Sequence, residues 1–169
     1  EVKIEDEPTM TTRGTIEGFY GTPWTHQNRL DQIVFYGKSK LNTYIYAPKD
    51  DPYHRAQWRE LYPEKEAAQI AELAEAGKNS NFNFCWTIHP GDHINLYSEE
   101  DFQAALNKLE QLYELGVRQF GVLFDDISNK KECNTLVKIF NIKDIYTSNI
   151  PKKSETIANK IIEHCLYYF

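Results

Sequence analysis

Residues 117–128 read Val-Arg-Gln-Phe-Gly-Val-Leu-Phe-Asp-Asp-Ile-Ser, and the reading of this stretch decides the fold. The apolar run from Phe120 to Phe124, bounded by turn-prone residues, has the length and composition of a buried parallel strand. It ends in two adjacent carboxylates, Asp125 and Asp126. In α/β folds the carboxyl end of a parallel strand is where substrates bind and catalytic groups sit. Like charges a few ångströms apart repel and push one pKa up, so two aspartates there cost the fold something unless they are used. Neighbouring side chains of a strand point to opposite faces, so the chain must leave the strand here if both are to serve one pocket. By spacing alone the pair fits catalysis, a solvated loop start or a Mg²⁺ site.

Working back from that stretch, three earlier segments repeat its pattern. Thr12–Phe19 reads as a first strand, Leu41–Ala47 as a second and Asn83–Ile88 as a third, the second rich in β-branched and aromatic residues. Helices are expected between them. Thr25 is placed to cap a helix over His26–Lys38, with Leu30, Ile33, Val34 and Gly37 on its inner face. Pro63 suits a first helical position, opening a helix from Glu64 to Ala76 that Gly77 closes. Ser98 with Asp101 resembles a capping box for a third helix that runs to Leu115 and ends at Gly116. The resulting order, β-α-β-α-β-α-β, predicts a parallel sheet with right-handed crossovers. Its strand-to-helix loops all lie on one edge, which brings Tyr20, Lys49, Asp50, Asp51, Asp92, Asp125 and Asp126 to the mouth of one pocket.

Composition narrows the class. The 169 residues suffice for one domain, and a net charge of −6 gives no electrostatic reason to bind nucleic acid or an anionic membrane. No stretch approaches the ~18 apolar residues of a membrane span. The acidic start, Glu1–Pro8, lacks the layout of a signal peptide and reads as a linker over residues 1–11. Cys85, Cys133 and Cys165 are odd in number, lack metal spacing and read as free thiols. Past Ser128 the character changes: residues 129–169 hold no glycine and carry 7 Lys+Arg against 4 Asp+Glu, a charge of +3, which leaves −9 for residues 1–128. That tail reads as divergent and helical in part.

Three motifs, Glu17–Trp24 (Glu-Gly-Phe-Tyr-Gly-Thr-Pro-Trp), Tyr46–Arg55 (Tyr-Ala-Pro-Lys-Asp-Asp-Pro-Tyr-His-Arg) and Leu123–Ile127 (Leu-Phe-Asp-Asp-Ile), resemble glycoside hydrolase family 84. These are β-N-acetylglucosaminidases, among them enzymes that remove O-linked N-acetylglucosamine from proteins, and the likeness is to the bacterial homologues of gut Bacteroides. The resemblance covers about Thr11 to Ser128. It implies a TIM-type (β/α)8 barrel of which residues 12–128 are the amino-terminal half, truncated to about four or five units. It also implies substrate-assisted, retaining hydrolysis through an oxazoline, a named exception to the two-carboxylate scheme. In that scheme Asp125 orients the substrate's 2-acetamido group, and Asp126 is the general acid and then the general base. Lys49 donates to sugar hydroxyls, the Gly18 carbonyl accepts from one, and Tyr20 lines the pocket. The resemblance calls for no cofactor and no metal, so His54, His89, Asp92 and His93 are expected to be solvated or capping residues.

The implied partner is an N-acetylglucosaminyl glycoconjugate, with the missing barrel half or self-association completing the fold, in a periplasmic or extracellular setting. Two other readings stand beside this one. A truncated, non-catalytic carbohydrate-binding remnant keeps the pair without turnover. A flavodoxin-like binding domain would need a phosphate-cradling glycine loop, of which Glu-Gly-Phe-Tyr-Gly is a poor version.

Overall fold

The structure, a computed structural model, describes residues 2–91, 94–95 and 98–123. Asp92, His93, Asp125, Asp126, Cys133, Cys165 and the tail lie outside the described residues. Four strands, β1 (Gly14–Glu17), β2 (Thr43–Tyr46), β3 (Asn83–Ile88) and β4 (Gln119–Val122), alternate with three helices, α1 (His26–Lys38), α2 (Glu64–Asn79) and α3 (Glu99–Glu114). All neighbouring strands are parallel and the sheet order is β1-β2-β3-β4. Among the described residues that order never reverses, so these four strands form no switch point of the doubly wound, flavodoxin-like kind. Crossovers of one hand in an unreversed sheet place every helix on the same face.

Alternation along the strands decides what that face buries. Tyr44, Tyr46, Phe84, Trp86 and Ile88 point one way and pack with Ile70 and Leu73 of α2 and Phe102, Leu109 and Leu112 of α3. Burying side chains of this size contributes roughly 1.5–3 kcal/mol each. Ring pairs tie neighbouring strands together, with Tyr44 and Tyr46 5.8 and 5.7 Å from Phe84.

The helix signals in the sequence act as physical stops and starts. The Thr25 hydroxyl accepts from the Asn28 amide at 3.2 Å, and the Ser98 hydroxyl from the Asp101 amide at 3.3 Å. Gly116, with φ +98°, turns the chain out of α3 as expected. Four expectations change. Leu30 and Ile33 face the core as expected, but Val34 is exposed, because the helix is rotated so that Tyr36 joins them. Pro63 caps α2 from outside rather than starting it. Gly77 does not close α2, which continues to Asn79; it permits a close approach, since a Cβ there would sit 2.7 Å from the Phe82 carbonyl. Asp101 forms only half of a capping box, because its carboxylate takes a two-pronged bond from Arg59 at 2.6 and 2.7 Å and another from the Asn95 amide at 2.7 Å.

Candidate functional site

The turns after β1 and β2 meet at the carboxyl edge of the sheet, as parallel pairing requires. Glu17, the last residue of β1, stands opposite Tyr46, the last of β2, so Gly18–Tyr20 and Ala47–Lys49 leave the sheet side by side. The Lys49 ammonium lies 5.3 Å from the Tyr20 ring centroid. At that range the ring quadrupole attracts the cation. A crevice of about 20 Å³ opens beside them, lined by Phe19, Gly21, Pro48, Lys49 and Asp50 among others. Tyr20 is 76 % exposed at this rim. Phe19 is fixed edge-on to Trp24 at 5.3 Å. Three of the expected site residues, Gly18, Tyr20 and Lys49, are thus brought together.

Asp50 and Asp51 separate, although the sequence places both at the mouth. Asp50 stays at the rim, half-exposed, its carboxylate 3.9 Å from the Arg29 guanidinium. Asp51 turns back into the layer between sheet and helices. There it accepts from the Tyr46 hydroxyl at 2.9 Å, the Tyr62 hydroxyl at 2.6 Å and the Tyr53 amide at 2.8 Å. A buried carboxylate needs such donors, and three of them explain why it leaves the pocket. The Trp86 indole donates to the Tyr62 hydroxyl at 3.0 Å, extending the chain of bonds into β3. Burial, and then the negative charge of Asp51, holds the Tyr62 and Tyr46 hydroxyls well above their ordinary pKa, so both remain donors.

A second buried network stands behind β1. Glu17 is 1 % exposed and takes both prongs of Arg29, each at 2.8 Å, together with the Tyr44 hydroxyl. Lys108 closes the layer from α3: fully buried, it donates to the Tyr53 carbonyl at 3.2 Å and lies 4.4 Å from the Tyr62 ring centroid. Burial pushes its pKa down to about 8 against the pull of Asp51 and Glu60.

His54 and His89 are not solvated but buried, which corrects their sequence reading. The His54 ring bonds through Nδ1 to the Thr87 carbonyl at 3.0 Å, and its own carbonyl accepts from the His89 amide at 2.8 Å. Nδ1 donates to the Thr87 carbonyl, and burial disfavours the charged ring, pushing its pKa down to about 3. These bonds staple the loop after β2 to the end of β3. Among the described residues no three His, Cys, Asp or Glu side chains converge as a metal site would need. Cys85 is a buried free thiol whose pKa burial raises to about 12, which makes it a poor nucleophile. No helix among the described residues is long and apolar enough to cross a membrane. The aspartate pair, the sharpest feature of the sequence, begins three residues past the end of β4 and lies outside the described residues.

Comparison with known proteins bears on this edge directly. Residues 13–166 match a family described as NAGidase, beta-N-acetylglucosaminidase. That span runs across the change in composition at Ser128. The chain is 40 % identical over 116 residues to the proteins named Protein O-GlcNAcase of Rattus norvegicus and Mus musculus, which is 69 % of this chain and 13 % of theirs. Among solved structures it is similar to CpGH84B, with 50 % identity and a TM-score of 0.70, and to CpGH84D, with 47 % and 0.69. Each comparison covers 73 % of this chain and 22 % of the solved one.

Proposed function

The chain belongs to the β-N-acetylglucosaminidase family, and from that premise we propose that it carries the sugar-holding and catalytic edge of a retaining N-acetylglucosaminidase. The single observation that supports this reading is the meeting of the turns that carry Gly18, Tyr20 and Lys49 at the carboxyl edge of an unreversed parallel sheet whose fourth strand leads to Asp125 and Asp126. In this reading residues 12–128 are the first units of a (β/α)8 barrel, residues 1–11 are a linker into it, and residues 129–169 are a divergent continuation. The substrate is a glycoconjugate with terminal β-linked N-acetylglucosamine, as the names of the O-GlcNAcase relatives indicate for those proteins.

The chemistry follows from what each group can do. Lys49 donates to the sugar hydroxyls and the Gly18 carbonyl accepts from one, which fixes the ring over the sheet edge beside Tyr20. Asp125 accepts from the 2-acetamido N–H and orients its carbonyl oxygen toward the anomeric carbon. That oxygen forms the new bond to carbon while the glycosidic C–O bond breaks, and Asp126 gives its proton to the departing oxygen. Asp126, now a carboxylate, takes a proton from water as the water opens the oxazoline, and the sugar leaves with retained configuration. Two abutting carboxylates suit this division, because the repulsion between them favours one proton shared across the pair near neutral pH.

Replacing the substrate's N-acetyl group by N-trifluoroacetyl tests the mechanism. Electron withdrawal weakens the attacking oxygen, so the reading expects hydrolysis of the aryl glycoside to slow by at least about tenfold. Equal rates for the two substrates would overturn substrate assistance. Binding of the sugar with no turnover of either substrate would favour the carbohydrate-binding alternative.

A further inference from the structure

Behind the two turns that hold the sugar in the proposed function, one side chain reaches both. Arg29, in the first turn of α1, grips Glu17 with a two-pronged bond, each prong at 2.8 Å. Glu17 is the last residue of β1 and directly precedes Gly18. The same guanidinium lies 5.3 Å from the ring centroid of Tyr46, the last residue of β2, and 3.9 Å from the Asp50 carboxylate, which directly follows Lys49. Tyr46 in turn donates to Asp51 at 2.9 Å. One planar cation therefore touches the end of both strands and the loop on the far side of Lys49.

We propose that Arg29 is a positioning residue that couples the turn after β1 to the turn after β2, holding the Gly18 carbonyl and the Lys49 ammonium at the spacing one sugar requires. The inference deepens the proposed function and rests on it. A need for stability does not account for the arrangement. A buried ion pair is on average no more stabilising than a well-packed apolar pair of the same size, so Glu17 and Arg29 add little that leucine and methionine would not. What the apolar pair lacks is direction. The planar fork fixes the guanidinium plane relative to the Glu17 carboxylate, and that plane in turn fixes the distance to Tyr46 and Asp50. Displacing a group that contacts substrate by about 1 Å costs on the order of 10²-fold in rate.

The position also offers a chemical handle. Arg29 borders a cavity of about 350 Å³ between α1, α2 and the loop after β2, shared with His26, Asp50, Glu66 and Gln69. That is room enough for a free guanidinium ion to reach the place vacated in Arg29→Ala.

The test uses the full chain in three forms. These are Arg29→Ala with and without added guanidinium, Arg29→Lys, and the paired Glu17→Gln/Arg29→Met, which removes both buried charges and so protects folding. Amide ¹⁵N order parameters report the two turns whether or not the chain turns over substrate. In the paired variant they are expected to fall from about 0.85 to below about 0.6 at Gly18–Tyr20 and at Lys49–Asp51 together, with β2 and β3 unchanged. On an aryl N-acetyl-β-glucosaminide, kcat is expected to fall about 10²-fold with a much smaller change in KM, and Arg29→Lys to recover only part of it. Adding Lys49→Ala should cost less than the product of the two separate losses, because Arg29 acts in part through that residue. Guanidinium should restore both the order and the rate of Arg29→Ala.

Loosening of one turn only, losses that add to that of Lys49→Ala, or no response to guanidinium would each overturn the coupling. A wild-type chain that turns over nothing, while both turns loosen together in the variant, contradicts the proposed activity and leaves the coupling standing.

Discussion

The two faces of the sheet are built on different principles. The helix side carries Tyr44, Tyr46, Phe84 and Trp86 at 5 % exposure or less, and every carboxylate buried with them has named donors. The opposite face, set by alternation, carries Gly14, Ile16, Thr43, Ile45, Cys85, Thr87 and Gly121. Apart from Asn83 and Gln119, which share this register, its residues are small or aliphatic, and Ile16 stands 60 % exposed. The crowded side fixes the strand ends. The turns that carry Gly18, Tyr20 and Lys49 owe their places to Glu17, Arg29 and Asp51 behind them. In the proposed function, substrate contact and rigidity thus fall to different residues, often neighbours in sequence.

Mutations on the two faces should therefore differ by several kcal/mol. Trp86→Ala removes a fully buried side chain that also donates to Tyr62, and is expected to cost about 3–5 kcal/mol in denaturant unfolding. A loss below about 1 kcal/mol would mean that the helix side is less tightly packed than its burial indicates. Tyr62→Phe keeps the ring but strips one donor from Asp51 and the acceptor from Trp86, with an expected cost of about 1–3 kcal/mol.

The pH dependence of stability sharpens the contrast further. Folded His54 titrates at about 3, whereas an unfolded histidine titrates near 6.5. Between those values the unfolded chain holds the extra proton. Stability from this group is therefore complete above about pH 6.5 and drains away as pH falls toward 3, by up to about 1.4 kcal/mol per pH unit. His54→Gln should flatten that part of the acid profile, and an unchanged slope would show that the ring is not held neutral. Ile16→Ala, on the opposite face, should stay within about 0.5 kcal/mol of wild type.

Much of this architecture was legible in the chain. Thr25 and Ser98 announce α1 and α3 because a hydroxyl before an apolar-periodic run satisfies amides that the helix leaves bare. Asn83–Ile88 is a strand over the full predicted span. The parallel order followed from alternation alone, and the meeting of Lys49 with Tyr20 from that order. What sequence could not separate was Asp50 from Asp51. The two are identical in chemistry, and only the phenols of Tyr46 and Tyr62, the second 11 residues downstream, draw one of them inward.

His54 was misread for the same reason, since its partner is a backbone carbonyl that no sequence pattern marks. Arg29 escaped notice because its glutamate is 12 residues away on another element. The available signal was the pair of alternating tyrosines, Tyr44 and Tyr46. Two phenols on the buried side of a strand need acceptors, and the nearest carboxylates in the flanking motifs are Glu17 and Asp51.

Hydrolysis of an aryl N-acetyl-β-glucosaminide by the 169-residue chain, with Asp126→Asn and Lys49→Ala beside it, tests the central claim most directly. The account predicts release of the aryl alcohol by wild type, a loss of about 10²-fold or more in Asp126→Asn, and a comparable loss in Lys49→Ala. Wild-type release that both substitutions leave untouched would contradict it, because the strand edge described would then not be where the sugar is cleaved.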